Sequence, residues 1–425
     1  MRRKNARNGL LPAAVAALAL LAAGCAGGHS AAAHSGGHAG RNRGGTAASA
    51  TAAVTITPAN GTADADPSAG ITVSATRGTL RTVSVSSRGR AVPGSLSDGG
   101  KVWHSRWALN VSQDYTVTAT ASGSGPVTAT SRFRTLTPSN AFRTEIFEGY
   151  KHSYGVGMPV ILTFSQPITD KAEVERSLQL TTSRPVVGAW YWDGNQTLDF
   201  RPRDYWPAGT TVSFTGHLNG VQGAPGMYGT HTLTQTFDIG ASLIAIGNTR
   251  THRTQIYYNG KLRYNWPISS GRPGDATPNG SYLTIEKANP VRMIGPGYNL
   301  LVPWSVRFTF SGDYYHDAYW SVGEQGFANV SHGCVNLSPA HAKTYYKLAV
   351  PGDPVTIVGS PKGGMWGNGW TEWFLSWRQY LRGSALHEAV MAGPEGSTFV
   401  SPASVPASTA TAPLHTSPGN NAAVR

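Results

Sequence analysis

The chain has 425 residues, with 35 Lys and Arg against 22 Asp and Glu, a formal charge of +13 and an isoelectric point near 9.8. That length exceeds what one hydrophobic core organises and calls for several domains. Beyond the first few residues the basic side chains form no dense run, which argues against nucleic acid as a partner and leaves weak attraction to an anionic surface such as a cell wall.

Residues 1–9 carry Arg2, Arg3, Lys4 and Arg7 with no acid, residues 10–23 are largely apolar, and Ala22-Ala23-Gly24 precede Cys25. This is the order of an export signal, too short and wrongly flanked for a good spanning helix. It resembles a bacterial lipoprotein signal over residues 1–24, although Ala22 stands where leucine is usual. The resemblance implies Cys25 as the lipidation site, a membrane partner reached through that lipid, and a location on the extracytoplasmic face and in the wall. Residues 25–53 are rich in Gly, Ala, Ser and Thr and read as a flexible tether. His29, His34 and His38 lie in that run at a spacing that fits no rigid metal site.

The rest reads as mainly β. Charged residues make up only 13%, while Gly, Thr, Ser, Trp and Tyr are plentiful. Residues 54–137 hold short alternating runs such as Thr82-Val83-Ser84-Val85 and Tyr115-Thr116-Val117-Thr118, separated by turns, as in a β-sandwich. Residues 138–240 predict a second β-module, with a strand at Val160-Ile161-Leu162-Thr163-Phe164 and a short helix over 169–178 carrying Asp170 and Glu173 at capping-box spacing. Trp190, Trp192, Tyr205 and Trp206 there read as core and inter-module packing.

From residue 241 strands are predicted around 243–246, 254–258, 282–285, 306–310 and 355–358. Asn259-Gly260 signals a type I′ hairpin. Ser338-Pro339 supplies an N-cap with proline at the first helical position, for a helix to about Leu348. Just before it lies Ser331-His332-Gly333-Cys334-Val335-Asn336, one of only two cysteines in the chain. A catalytic thiol needs a neighbouring base, and both His332 and His316 are candidates. Gly333 allows close approach of a carbonyl substrate, and backbone N–H groups around Gly333 and Cys334 could hold an oxyanion. These residues alone are equally compatible with a buried structural cysteine.

The longer pattern is more specific. His316, fourteen intervening residues, and then Ser331 to Asn336 resemble the signature of the L,D-transpeptidase (YkuD-type) family. Thr277-Pro278-Asn279-Gly280 and Trp320-Ser321-Val322-Gly323 extend the resemblance over residues 241–360, and the two upstream modules are similar to the immunoglobulin-like domains of actinobacterial members. The resemblance implies Cys334 as nucleophile and His316 as general base in a thiolate–imidazolium pair, with the base held by the backbone carbonyl of Asp317. It implies oxyanion and loop-supporting roles for Ser331, His332, Gly333 and Asn336, and substrate contacts from Tyr298 and Trp320. The implied reaction is peptidoglycan 3→3 cross-linking through a thioester, with release of D-Ala from tetrapeptide stems. Its partners are donor stem peptides and acceptor amines, it needs no metal or cofactor, and carbapenem β-lactams are its expected inhibitors. Hydrolysis by the same pair, as an L,D-carboxypeptidase or cysteine peptidase, and an inactive tethered wall-binding protein are the alternatives.

Trp370, Trp373, Phe374, Trp377 and Leu381 recur at helical spacing within 371–382, predicting an amphipathic helix in a C-terminal subdomain over 361–392, packed on the catalytic domain. Residues 393–425 are rich in Pro, Ser, Thr and Ala and read as a disordered tail.

Overall fold

The computed structural model describes residues 52–408 except 124 and 296. The leader, most of the tether, Cys25 and the last part of the tail lie outside the described residues.

The first module is a sandwich of two four-stranded sheets. One runs in the order Ala53–Thr57, Thr72–Thr76, Val102–Ser105 and Gly94–Ser97. The other runs Arg90–Ala91, Thr79–Ser87, Asp114–Ser122 and Val127–Arg134. Alternation decides which face is buried: Tyr115, Val117, Ala119 and Ala121 point into the core, and the intervening threonines point away.

The second module stacks a sheet containing Val160–Phe164, Thr197–Pro202 and Val186–Asp193 on one containing Leu233–Ile239, Thr211–Gly216 and Leu178–Thr182. Trp190, Phe200, Trp206, Phe214 and Phe237 fill the space between. The short helix spans Lys171–Arg176; Asp170 occupies its N-cap position but makes no side-chain cap bond.

Two expectations for the C-terminal region are corrected. The tail expected from residue 393 starts too early, because Ala389–Gly393 and Gly396–Val400 form a hairpin whose first strand pairs antiparallel with Val186–Asp193. Phe399 packs on the second module's core. The single aromatic helix is also broken: a 3-10 turn at Glu372–Phe374 ends in extended Leu375, and a new helix, Trp377–Leu381, begins at Ser376 with a complete capping box to Gln379. The local cap outcompetes continuous helix. Trp370 and Trp373 enter the core of the second module rather than packing mainly on the catalytic domain, and Trp373 Nε1–H donates to Gly157 O at 2.8 Å. Arg201, fully buried, lies 4.4 Å from the Trp373 ring centre and 4.3 Å from that of Tyr380. Glu175 accepts from Trp192, Ser384 and Ala385, tying the segment down further. Phe374 reaches the other way, 5.0 Å from Tyr282, and Asn368 exchanges hydrogen bonds with Ser311 of the catalytic unit.

The third unit has a five-stranded sheet, Lys261–Pro267, Arg253–Tyr258, Leu243–Asn248, Pro354–Val358 and Gly280–Leu283. Asn259 and Gly260 take positive φ values of 49° and 76°, as the hairpin between its first two strands requires. A second sheet runs Glu286–Ala288, Ser305–Arg307, Tyr314–Asp317 and Val335–Leu337. The helix Pro339–Leu348 packs against it through Ala342 and Tyr345, and Ser338 Oγ accepts from His341 N–H.

Candidate active site

The fourteen-residue spacing has a mechanical origin. Tyr314–Asp317 and Val335–Leu337 are neighbouring parallel strands, with His316 opposite Asn336. Parallel neighbours need a long return connection, about a dozen residues or more. Here it comprises the 3-10 turn Tyr319–Ser321 and the loop that ends at Cys334. Cys334 therefore arrives two residues before the partner of His316. Both line a cavity of about 290 Å³, together with Tyr298, Trp320, His332 and Asn336.

His316 is 3% exposed, and its Nδ1–H donates to Asp317 O at 2.7 Å. A carbonyl only accepts, so this contact places the proton on Nδ1 and leaves Nε2 as the basic nitrogen. Burial lowers the imidazole pKa to about 4, with the Asp317 carbonyl opposing. The Trp320 ring centre lies 5.9 Å away with its plane inclined by 29°. The Asp317 carboxyl is not part of this contact; its Oδ1 is buried without a partner, and burial raises its pKa.

Polar contacts shape the cysteine loop. Ser331 Oγ–H donates to Cys334 O at 2.6 Å and accepts Gly333 N–H at 3.2 Å. Thr277 Oγ1–H donates to Gly333 O at 2.6 Å while accepting Gly271 N–H. Gly333 has φ +132°, and a Cβ there would lie 2.4 Å from Asp313 Oδ1, so both conformation and space demand glycine. Cys334 Sγ is 3.7 Å from Gly312 O. Burial, joined by the Asp313 carboxylate, pushes the thiol up to about 12, while Tyr314 N–H opposes.

Burial by itself thus disfavours the charged form of each group, so the thiolate–imidazolium pair that the family resemblance implies would have to offset both desolvation penalties by its own attraction. The oxyanion expectation changes in detail: Gly333 N–H is taken by Ser331, which leaves Cys334 N–H as the candidate donor. Asn336 Nδ2–H donates to Ser321 Oγ at 2.9 Å, joining the strand to the connection it follows. His332 is exposed, 5.0 Å from Tyr298 on the hairpin formed by Val291–Gly295 and Tyr298–Val302.

Thr277, Asp313 and Ser321 were not singled out as site residues. Thr277 could have been found through its Thr-Pro-Asn-Gly context, whereas no spacing signal marks Asp313. Among the described residues no cluster of three His, Cys, Asp or Glu is arranged to hold a metal ion. A thiol, a bare imidazole nitrogen and a backbone donor around one cavity are the parts needed for acyl transfer.

Comparison with known proteins identifies the domains and the family. A bacterial Ig domain model matches residues 62–222, spanning most of both sandwich modules, and the YkuD L,D-transpeptidase catalytic domain model matches residues 242–357. The chain is 33% identical over 328 residues to L,D-transpeptidase 2 of Mycobacterium tuberculosis, covering 74% of this chain and 80% of the relative. To L,D-transpeptidase 5 of the same organism it is 32% identical over 352 residues, covering 78% and 77%. A solved structure of the L,D-transpeptidase LdtMt1 with imipenem is 35% identical, covers 52% of this chain and 100% of that one, and has a TM-score of 0.44. With four fifths of a relative covered at one-third identity, the chain belongs to the L,D-transpeptidase family.

Proposed function

We propose that this enzyme forms 3→3 peptidoglycan cross-links through a thioester on Cys334. The observation that carries the reading is the cavity that Cys334 and His316 both line, with the imidazole proton held on Nδ1 by Asp317 O. In the first step His316 Nε2 takes the thiol proton as Sγ attacks the carbonyl between the third stem residue and the terminal D-Ala. Cys334 N–H faces the developing oxyanion. The imidazolium returns its proton to the departing D-Ala amine, and the acyl group stays on sulfur. A second stem then presents its side-chain amine to the thioester. His316 takes a proton from that amine, the new amide forms, and the proton returns to sulfur. The two acyl transfers replace one difficult exchange.

Met293, Leu300, Val302 and Trp320 give the cavity apolar walls against which a donor stem can lie. The same thiol is the proposed point of acylation by carbapenems. A lipid on Cys25 would hold the enzyme on the outer face of the membrane, with residues 25–53 and the β-modules spacing the active site from it.

Mass spectrometry of tetrapeptide muropeptides incubated with the protein and with Cys334→Ala tests the reaction. The expected product is a dimer lighter by one D-Ala, absent with the variant. Free tripeptide as the sole product would replace this reading with the carboxypeptidase one.

A further inference from the structure

The two sandwich modules are joined by specific contacts. Val111 N–H donates to Asn219 Oδ1, Gln222 N–H donates to Ser68 Oγ, and the Trp107 and His217 rings stack at 4.0 Å. A cavity of about 540 Å³ opens beside this junction, lined by Arg88, Arg90, Asn110 and Gln113 of the first module and Asn219 and Thr232 of the second. A second cavity of about 340 Å³, lined by Arg143, Glu145 and His231, shares Thr232 with it. Both fall in the size range of ligand sites, about 300 to 1,000 Å³.

The chemistry of the larger cavity is one-sided. No carboxylate lines it. Among the described residues the Arg88, Arg90 and Arg143 side chains make no ion pair or hydrogen bond. Gln113 Oε1 and Asn219 Oδ1 are already occupied by Ser87 Oγ–H and Val111 N–H, which leaves their amide N–H groups to donate. Arg88 also sits at φ +48° before Gly89 at φ +73°, in the tight turn between Thr79–Ser87 and Arg90–Ala91. That first turn position favours Asn, Asp or Gly, so an arginine there is held against the backbone's preference.

We propose that this inter-module groove binds a stem-free stretch of wall glycan, with Arg88 and Arg90 pairing the free carboxylate of its acidic sugar and the Gln113 and Asn219 amides donating to its hydroxyl or acetamido oxygens. The choice of a wall glycan over another anion rests on the proposed wall-remodelling function; the groove's charge and shape do not. Occupancy would hold the enzyme on a strand whose other sugars still carry stems and so raise their effective concentration.

The test is calorimetric titration of the full chain with the N-acetylglucosaminyl–N-acetylmuramic acid disaccharide, which lacks a stem peptide and cannot be turned over. Neutral diacetylchitobiose serves as the comparison. The expected result is binding of the acidic disaccharide that weakens about tenfold in Arg88→Glu/Arg90→Glu, with the neutral sugar weaker than the acidic one. Arg88→Gly, which relieves the turn, should bind more weakly while melting no lower than the parent. Equal affinity in parent and variants, equal affinity for the two sugars, or no binding of the acidic disaccharide at millimolar concentration would overturn the proposal. Turnover of soluble muropeptides by Arg88→Glu/Arg90→Glu should match the parent, so failure here is separable from failure of the transpeptidase reading.

Discussion

At the scale of single residues, the site combines a base whose proton is fixed in place with a thiol that burial biases towards its protonated form. Asp317 O sets the His316 tautomer through a backbone contact, so the identity of residue 317 matters less than its carbonyl. Where burial rather than mutual attraction decides, both groups rest neutral, which makes a definite prediction for pH dependence. His316 is competent as a base once pH rises above about 4, and the thiol remains a proton donor up to about 12. The second-order rate of Cys334 acylation should therefore rise through the region of about pH 4 and stay flat across neutrality. Free-enzyme ionisations appear in that rate constant, so stopped-flow acylation by a carbapenem measures it directly. An inflection near 6.5, the ordinary histidine value, would mean that the imidazole is solvated rather than buried. His316, Cys334, Ser331 and Asn336, which line one cavity, could be read together from the sequence because they fall in one motif. Asp313 was not, because its approach to Gly333 depends on how the preceding turn folds under the cysteine loop.

At the scale of elements, legibility followed locality. The Asn259-Gly260 hairpin and the Ser338-Pro339 helix start are decided within a few residues and were read correctly from them. The C-terminal strands were not, since Ala389–Gly393 acquires its meaning by pairing with Val186–Asp193, some two hundred residues earlier. The aromatic run after Trp370 was misread as one helix because its spacing is helical, while Ser376 starts a new helix and the two buried tryptophans face the second module. The hairpin's contribution is measurable. Phe399→Ala removes a partly buried ring from the second module's surface and should lower unfolding stability by about 1–2 kcal/mol in urea denaturation. A change near zero would restore the disordered-tail expectation for this segment.

At the scale of the whole molecule, the second module and the C-terminal segment share a group of buried acids. Burial raises Glu148 to about 8 and Glu372 to about 7, and it raises Asp199 well above its usual value. Asp199 Oδ1 and Glu372 Oε2 have no hydrogen-bond partner, as suits protonated or poorly solvated carboxyls. A raised acid pKa favours the protonated folded state, so this stabilisation is complete below the unfolded value of 4.5 and is lost as pH rises through the folded value. For Glu148 the window runs from about 4.5 to about 8. His316 acts in the opposite sense at the acid end, because its depressed pKa removes stability as pH falls from 6.5 towards about 4. Glu148→Gln keeps an acceptor for Ile161 N–H and should raise the melting temperature at pH 8 with little change at pH 5. An equal shift at both values would point to packing instead of ionisation.

The central claim is that the acyl group rests on Cys334 between the two transfers. Intact-protein mass spectrometry after rapid mixing with a tetrapeptide donor, in the absence of an acceptor amine, tests it most directly. The account predicts an added mass equal to the donor minus D-Ala, mapped by proteolysis to the peptide containing Cys334 and missing in Cys334→Ala. D-Ala release by the parent without such an adduct, or undiminished release by Cys334→Ala, would contradict it.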